Sequence, residues 1–245
     1  MKKSVEIPGP PPRLNTRVLE RISHAGGLFT LRLAKPDGFA FTPGDCVAVY
    51  GPDGRRTRPY SLAGGVGEPY LELLIRKIPG GLLSEWLSEL SPETSLYISP
   101  PFGWFRPGLP DAAPKVWFAT GSGVAPFLSV LRSGGAKPEG FFWGLRSARD
   151  LDGLCVPGAV PCVSRGEAGT GRSGRITDFL GEVDLDPRIH YSLCGLDGMI
   201  EDISAFLISR GVSAERIHSE IFFTDQSSPD QSPPNQSPPN QSMAR

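Results

Sequence analysis

Residue types that bind metal ions are scarce, because the 245 residues include only four cysteines and three histidines. No two cysteines have C-x2-C or C-x4-C spacing, which excludes a zinc ribbon and a plant-type iron–sulfur motif from this sequence. Cys155 and Cys162 could form a disulfide, although a cytosolic setting favours reduced thiols. His24, His190 and His218 are isolated in the sequence, and we interpret each as structural rather than as a ligand or base.

Charge imbalance and long apolar runs are also missing. The formal net charge is −1, and no long run of like charges is present, which argues against a general nucleic-acid-binding protein. No apolar stretch approaches the roughly 18 residues that a membrane span needs. The first residues lack the apolar region of a signal peptide. We therefore predict a cytoplasmic protein that has no membrane span.

Glycine and proline are abundant instead, with 30 and 26 residues. The glycine surplus lies within residues 13–223, which also carry most of the aliphatic and aromatic side chains, so this segment is predicted to be globular. Proline is dense at both ends of the chain. Residues 1–12 are predicted to form an N-terminal arm, and residues 224–245, which twice repeat Ser-Pro-Pro-Asn-Gln, a disordered tail.

The first part of the globular segment, residues 13–106, reads as short strands between turns, which is typical of a small antiparallel β-barrel. Strands are predicted at 18–22, 28–33, 46–50 and 71–75. One helix is predicted from an apolar face that comprises Leu83, Trp86, Leu87 and Leu90. A proline-rich stretch follows, and we predict a linker at residues 107–114.

In residues 115–223 the pattern changes to alternating strands and helices, which predicts a parallel sheet with helices on its faces. The predicted strands lie at 116–119, 140–144, 160–163 and 189–193, and the predicted helices at 124–131 and around 200–207. The proline- and glycine-containing stretch between residues 150 and 162 is not expected to hold a helix.

Two glycine-rich turns precede predicted helices. In Gly80-Gly81-Leu82-Leu83-Ser84, backbone N–H groups could approach an anion at the start of the helix, and Ser84 could add a hydroxyl donor. Thr120-Gly121-Ser122-Gly123 follows a strand and opens a helix, which is the setting in which such a turn binds a pyrophosphate, although it is not G-x-G-x-x-G. The first turn could equally be structural, whereas for the second we favour the phosphate-binding interpretation over a structural turn.

Arginines follow the ends of several predicted strands of the second part. They are Arg146, Arg165, Arg172 and Arg175. Parallel strands end at one edge of a sheet, where ligands bind, and the guanidinium fork suits a phosphate, but any single arginine could be a solvated surface charge. Cys194-Gly195 also ends a strand, and without a histidine nearby in sequence we interpret Cys194 as a buried or positioning residue.

Taken in order, these segments resemble the ferredoxin–NADP reductase superfamily over residues 14–223. The resemblance implies a six-stranded antiparallel flavin-binding β-barrel at 13–106, followed by a parallel-sheet NADP-binding α/β domain at 115–223, with the active site between them. Arg58-Pro59-Tyr60-Ser61 is similar to the flavin motif of the family, and Asp45 stands where the family has glutamine.

The resemblance implies roles in FAD binding for the barrel residues. Arg58 would pair with the pyrophosphate, Tyr60 would stack on the isoalloxazine ring, and Ser61 would hydrogen-bond near flavin N5. Backbone contacts to the flavin would come from Leu74, Ile75 and Arg76, and the pyrophosphate would be held by Gly81, Leu82, Leu83 and Ser84.

On the nicotinamide side, the resemblance implies coenzyme contacts from Thr120, Gly121, Gly123, Cys194 and Gly195. The thiol of Cys194 would lie near nicotinamide C4, and Glu220 with Phe222 and Phe223 would lie near the flavin. Ser61, Cys194 and Glu220 are thus the expected catalytic residues. The 2′-phosphate of NADPH would be held by Arg146, Ser164, Arg165 and Arg175, which favours NADP(H) over NADH.

The expected activity is hydride transfer between NADPH and FAD, with electrons passed to a ferredoxin or a flavodoxin by a protein that is monomeric. Two alternatives stay open. The chain could be an electron-transfer subunit that carries the flavin for a larger complex, or an NADH-dependent reductase component of an oxygenase-type system.

Overall fold

A computed structural model of the chain describes residues 12–183 and 185–223. Its first half is a six-stranded sheet in the order β4-β3-β6-β1-β2-β5, in which every neighbouring pair is antiparallel. A bridge between Leu62 and Leu73 joins the two edges of this sheet and closes it into a barrel. The strands are β1 (Leu14–Ser23), β2 (Leu28–Ala34), β3 (Cys46–Tyr50), β4 (Thr57–Ser61), β5 (Tyr70–Arg76) and β6 (Ser95–Ile98).

The barrel interior is filled by aliphatic side chains. Leu31, Val47 and Leu73 are fully buried there, because alternate residues of each strand point inward. The helix α1 (Leu82–Glu89) packs Leu83 and Leu87 onto the same core, so the predicted apolar helix face is confirmed.

The second half is a six-stranded sheet in the order β10-β9-β8-β7-β11-β12, and all its pairs are parallel. Its strands are β7 (Lys115–Thr120), β8 (Gly140–Leu145), β9 (Val160–Val163), β10 (Arg172–Ser173), β11 (His190–Leu196) and β12 (Ile217–Phe223). Its helices are α2 (Ala125–Arg132) and α3 (Asp197–Ser209), with short 3-10 helices at Gly121–Val124, Ala148–Leu151 and Ile176–Glu182. The predicted fold class is confirmed.

The side chains of β7 divide between two cores. Trp117 faces α2 and packs against Phe127, whereas Phe118 faces α3 and packs with Ile203. The core on the α2 side also contains Leu74 and Phe105, which come from the first half of the chain. The two halves therefore share one apolar core at the place where they meet.

Several local features agree with or refine the sequence-based expectations. The predicted helix at 124–131 is a 3-10 turn followed by α2, with Pro126 in its first turn, where a missing N–H is tolerated. Between residues 150 and 162 the structure has the end of a 3-10 helix and the start of β9, and it has no α-helix. The four cysteines are free thiols. Among the described residues, no helix is both long enough and apolar enough to cross a bilayer.

Candidate functional site

The two halves of the chain meet at a hydrogen bond between Ser61 and Glu220. Ser61 is the last residue of β4, an edge strand of the barrel sheet, and Glu220 lies on β12, an edge strand of the parallel sheet. The Ser61 hydroxyl donates to Glu220 Oε2 at 3.2 Å. Two of the expected catalytic residues, which are 159 positions apart in sequence, are therefore brought into contact.

Cys46 is a third member of this contact that the sequence analysis did not identify. It pairs with Ser61 across the β3–β4 ladder, so both side chains lie on the same face. Its Sγ lies 3.2 Å from Ser61 Oγ and donates to Glu220 Oε1 at 3.5 Å. No sequence signal marks it, because Cys46 and Glu220 are 174 positions apart.

Burial controls the ionisation of this cluster. Loss of water raises the pKa of Glu220, while hydrogen bonds from Ser61 and Cys46 and the charge of Arg106 act in the opposite direction. Burial and the nearby Glu220 carboxylate raise the pKa of Cys46 to about 12. The pKa of the fully buried Cys194 thiol is raised well above its usual value, again chiefly by burial. Both thiols are therefore neutral near pH 7 and are not nucleophiles.

Cys194 lies opposite Glu220 in the β11–β12 ladder, beside the glycine-rich turn that follows β7. A Cβ on Gly123 would lie 2.4 Å from the Cys194 carbonyl oxygen, so only glycine permits this approach. Gly195 has φ 138° and sits against Thr120, whose Oγ1 accepts the Leu196 N–H at 2.8 Å. The structure thus brings the turn at 120–123 and Cys194-Gly195 together.

The flavin-motif residues of β4 have the exposure that a ligand site requires. Arg58 is exposed, contacts the Thr57 carbonyl at 2.9 Å, and has no carboxylate within ion-pair distance among the described residues. Pro59 is exposed as well, while Tyr60 is half-buried against the barrel core, where burial raises its pKa to about 12. Arg58 therefore presents an unneutralised guanidinium group beside the barrel.

The start of α1 leaves backbone donors free for an anion. Gly81 is the N-cap and forms no side-chain cap, so the N–H groups of the first turn have no partner within the helix. The Ser84 hydroxyl accepts the Ile78 N–H at 3.1 Å and donates to the Gly81 carbonyl at 3.2 Å. Ser84 thus uses its hydroxyl inside the turn, and Leu82 and Leu83 offer backbone N–H groups only.

The edge strand β5 divides its residues between two environments. Leu74 packs in the core shared by the two halves, and Ile75 packs in the barrel core. The Arg76 side chain reaches the second half, where Nη2 lies 4.0 Å from Asp150 and 3.2 Å from the place that a Cβ on Gly121 would occupy. From the sequence, only the backbone of Arg76 was expected to contact a ligand; in the structure its side chain also places a cation beside the glycine-rich turn.

Among the described residues, three of the four strand-end arginines have no carboxylate partner. Arg146, Arg165 and Arg175 are exposed and follow β8, β9 and β10, which are neighbours in the parallel sheet. None of them is within ion-pair distance of a carboxylate in the described ranges. Ser164 bonds the Leu145 carbonyl at 3.1 Å, between the ends of β8 and β9. The fourth arginine, Arg172, instead pairs with Glu182.

A groove of about 1170 Å³ opens beside Glu220. Its lining includes Trp104, which is 96% exposed, together with His190 and His218, whose ring nitrogens lie 3.2 Å apart. These histidines are isolated in the sequence but adjacent in the fold. Phe222 packs against the core shared by the two halves, whereas the side chain of Phe223 lies outside the described part of the structure, as do residues 1–11 and 224–245.

Residues 14–106 match the family model described as an oxidoreductase FAD-binding domain. The chain is 31% identical over 224 residues to a Ralstonia protein named as the ferredoxin–NAD(P)(+) reductase component of naphthalene 1,2-dioxygenase/salicylate 5-hydroxylase systems, covering 84% of this chain and 67% of that protein. It is 32% identical over 216 residues to the corresponding naphthalene 1,2-dioxygenase component of Pseudomonas putida, covering 79% and 63%. The chain therefore spans about two thirds of the length of these relatives.

Solved structures show the same architecture. The Amycolatopsis cytochrome P450 reductase GcoB superimposes with a TM-score of 0.75 at 29% identity, over 88% of this chain and 71% of that one. A ferredoxin NADP+ reductase from Neisseria gonorrhoeae, solved with bound FAD and NADP, gives a TM-score of 0.75 at 21% identity over 86% and 99%. Because its identity is only 21%, the match to the Neisseria structure supports the fold and nothing beyond the fold.

Proposed function

Because the chain belongs to the ferredoxin–NADP reductase superfamily, we propose that it is a flavoprotein that transfers hydride between NADPH and FAD and passes electrons to a ferredoxin or flavodoxin. The observation that carries this proposal is the hydrogen bond between Ser61 and Glu220. It brings a residue of the FAD-binding domain into contact with a residue of the parallel-sheet half, at the place where a flavin and a nicotinamide would have to meet.

The residues of the barrel fit FAD. The unpaired guanidinium of Arg58 and the free N–H groups at the start of α1 would hold the pyrophosphate, and Tyr60 would stack on the isoalloxazine ring. The pairing of β4 with β5 ends at the Leu62–Leu73 bridge, so Leu74–Arg76 lie at a sheet edge, where backbone groups can contact a ligand. A pyrophosphate site favours FAD over FMN.

The parallel-sheet half fits a phosphorylated dinucleotide. The glycine-rich turn at 120–123 and the Arg76 guanidinium beside it would receive the pyrophosphate. Arg146, Arg165 and Arg175, exposed and unpaired within the described residues, would receive a 2′-phosphate, which supports NADPH over NADH. Neighbouring strands bring these arginines to one edge of the sheet.

When bound, FAD supplies the chemistry of accepting a hydride and releasing electrons singly. The chain itself supplies positioning and proton control. Ser61 would present its hydroxyl to flavin N5, and Glu220 would hold a proton at Oε2, 3.2 Å from the Ser61 oxygen. The neutral, buried Cys194 shapes the nicotinamide side of the site without acting as an acid or base.

A second candidate function is favoured by the relatives. Those from Ralstonia and Pseudomonas putida are named as reductase components of dioxygenase systems and as NAD(P)(+) enzymes, which supports a reductase component that uses NADH or NADPH. These 245 residues contain no C-x2-C or C-x4-C pair, so within this segment the electrons would leave from the flavin and not from an iron–sulfur cluster.

The test is an absorbance spectrum of the purified chain, followed by anaerobic titration with NADPH and then with NADH. The proposal expects a bound flavin, reduced at lower concentrations of NADPH than of NADH, and NADPH–ferricyanide activity from a chain that elutes as a monomer. A preference for NADH would support the second candidate. A bound flavin with no NAD(P)H-dependent reduction would indicate an electron-transfer subunit, and a flavin-free protein would overturn both candidates.

A further inference from the structure

We propose that Cys46 is a positioning residue that holds the Glu220 carboxyl group against Ser61 and thereby controls the proton of this group. The inference rests on the proposed function, because it assigns Ser61 and Glu220 to the reaction. It goes further in giving a role to a thiol that neither the sequence pattern nor the resemblance singled out.

Two backbone hydrogen bonds to Phe102 fix the position of Cys46 next to Ser61. Its backbone N–H donates to the Phe102 carbonyl at 2.6 Å, and its carbonyl accepts the Phe102 N–H at 2.9 Å. Its side chain is 5% exposed. The thiol therefore has a fixed position beside Ser61. The barrel holds both hydrogen-bond donors, and Glu220 from the second half of the chain is their acceptor.

The two oxygens of Glu220 are shared between these donors. Ser61 donates to Oε2 at 3.2 Å and Cys46 to Oε1 at 3.5 Å. A carboxylate held at both oxygens cannot rotate without losing one of the bonds. Removal of the thiol would leave Glu220 attached to the barrel through Ser61 alone.

The Cys46 thiol can donate a hydrogen bond to Glu220 whether the carboxyl group is ionised or protonated. In the ionised state each donor gives its single hydrogen to one carboxylate oxygen. In the protonated state Glu220 donates to Ser61, Ser61 to Cys46 across their 3.2 Å contact, and Cys46 to the second oxygen, which closes a ring. Hydrogen bonds to a charged acceptor are the stronger ones, so loss of Cys46 costs the ionised state more and raises the pKa of Glu220.

Other charged and titratable groups around Glu220 stay in place when Cys46 is changed. They are Arg106, which pairs with Asp45 at 2.6 Å, and the buried Cys194 on β11. His218 lies two residues away on β12, and burial lowers its pKa. Because these groups are common to wild type and variants, a change in the titration of Glu220 reports on the thiol.

The experiment is a carboxyl ¹³C NMR titration of Glu220 in the full chain without added cofactor, assigned by comparison with Glu220→Gln. Cys46→Ala and the bulkier, apolar Cys46→Val both remove the donor, whereas Cys46→Ser keeps one. The matched control is Cys162→Ala, which removes another buried thiol, one that donates to the Val160 carbonyl at 3.8 Å and lies in the apolar core on the α3 side.

We expect the Glu220 midpoint to rise by roughly half a pH unit or more in the alanine and valine variants, since one hydrogen bond to the ionised form is lost. Cys46→Ser is expected to restore it, and Cys162→Ala to leave it unchanged. An unchanged midpoint in Cys46→Ala, a shift in Cys46→Ala that Cys46→Val does not reproduce, or no rescue by serine would overturn the proposal.

A second readout uses the flavin-loaded protein. Stopped-flow reduction by NADPH is expected to slow several-fold in Cys46→Ala and Cys46→Val, with the coenzyme concentration for half-maximal rate unchanged, and to recover in Cys46→Ser. An unaltered rate would contradict the positioning role. If the wild-type chain binds no flavin, the proposed function fails, and the titration without cofactor still decides the role of Cys46.

Discussion

Arg132, the last residue of α2, donates a hydrogen bond to the carboxylate of Glu72, which lies on barrel strand β5. Arg32 Nε binds the other carboxylate oxygen at 2.9 Å. The Glu72 side chain is 4% exposed, so its charge is compensated by one guanidinium from each half of the chain. This triad fixes the parallel sheet against the barrel and so holds Glu220 within reach of Ser61.

Replacing Arg132 by methionine is therefore expected to destabilise the fold, because Glu72 keeps only one of its two partners. Arg132 is partly exposed, so we expect the free energy of unfolding to fall by about 1–2 kcal/mol. Equilibrium urea denaturation followed by tryptophan fluorescence measures the change. Arg17→Met is the control, since Arg17 pairs with Glu93 at 3.5 Å on the surface and such pairs contribute about 0.5 kcal/mol or less. Equal losses in the two variants would contradict the interpretation.

Ser61→Ala is expected to slow flavin reduction by NADPH by about tenfold or more, since a positioned proton-handling group contributes roughly that much or more. Flavin content should stay unchanged, because Arg58 and the start of α1 are untouched. Stopped-flow absorbance measures the rate. Ser88→Ala is the control, because it removes a hydroxyl that donates to the Glu85 carbonyl within α1. Wild-type speed in Ser61→Ala would show that its assigned role is wrong.

Arg165→Gln and Arg146→Gln are each expected to raise KM for NADPH roughly tenfold, because a charge-assisted hydrogen bond to phosphate is lost. KM for NADH, which has no 2′-phosphate, should stay within about twofold. Steady-state ferricyanide reduction with each coenzyme gives the ratio. Arg210→Gln removes the same charge from the end of α3 and should change neither value. A parallel rise for both coenzymes would exclude the 2′-phosphate assignment.

Because His190 and His218 are paired and partly buried, we expect the protein to lose stability as the pH falls. Burial, the largest cause, lowers the pKa of both His190 and His218 below 6.5, and the neighbouring His218 lowers the pKa of His190 further. The unfolded chain therefore binds more protons below pH 6.5, and the unfolding free energy falls as pH drops from 6.5 through the lower, folded-state pKa values.

In the double variant His190→Gln/His218→Gln, the free energy of unfolding should decrease less steeply as the pH falls. Urea denaturation at several pH values between 8 and 5 measures this decrease. Some slope will remain, because burial also lowers the pKa of His24. Above pH 7 the variant and the wild type should have parallel profiles. An unchanged acid slope in the variant would mean that the pair is not protonated on unfolding.

The main helices and strands of the fold could be predicted because each has a local pattern of apolar residues. The apolar face of α1 and the runs in β2, β3, β7 and β8 identify buried surfaces with helix or strand periodicity. The strands β6, β10 and β12 were not predicted. The strands β6 and β10 are short, and the sequence of β12 is interrupted by His218, Ser219 and Glu220. All three form because neighbouring strands offer hydrogen-bonding edges, which a local pattern does not reveal.

The place of a candidate-site residue was predictable where chemistry and sequence order coincide, as in the glycine-rich turn and the arginines that follow β8 and β9, whose roles in coenzyme binding stay predictions. It was not predictable where distant residues meet. Nothing local links Cys46 to Glu220, Glu72 to Arg132, or His190 to His218. The direction of the Arg76 side chain likewise depends on Asp150 in the other half of the chain.

The place of Glu220 on β12 has a consequence for the order in which the protein is made. Ser61 is synthesised 159 residues before Glu220, and the barrel strands β1–β6 all precede the second sheet. Since N-terminal units fold first during synthesis, the barrel can close before its acidic partner exists. Translation of β12 is therefore the step that gives the Ser61 hydroxyl and the Cys46 thiol their acceptor.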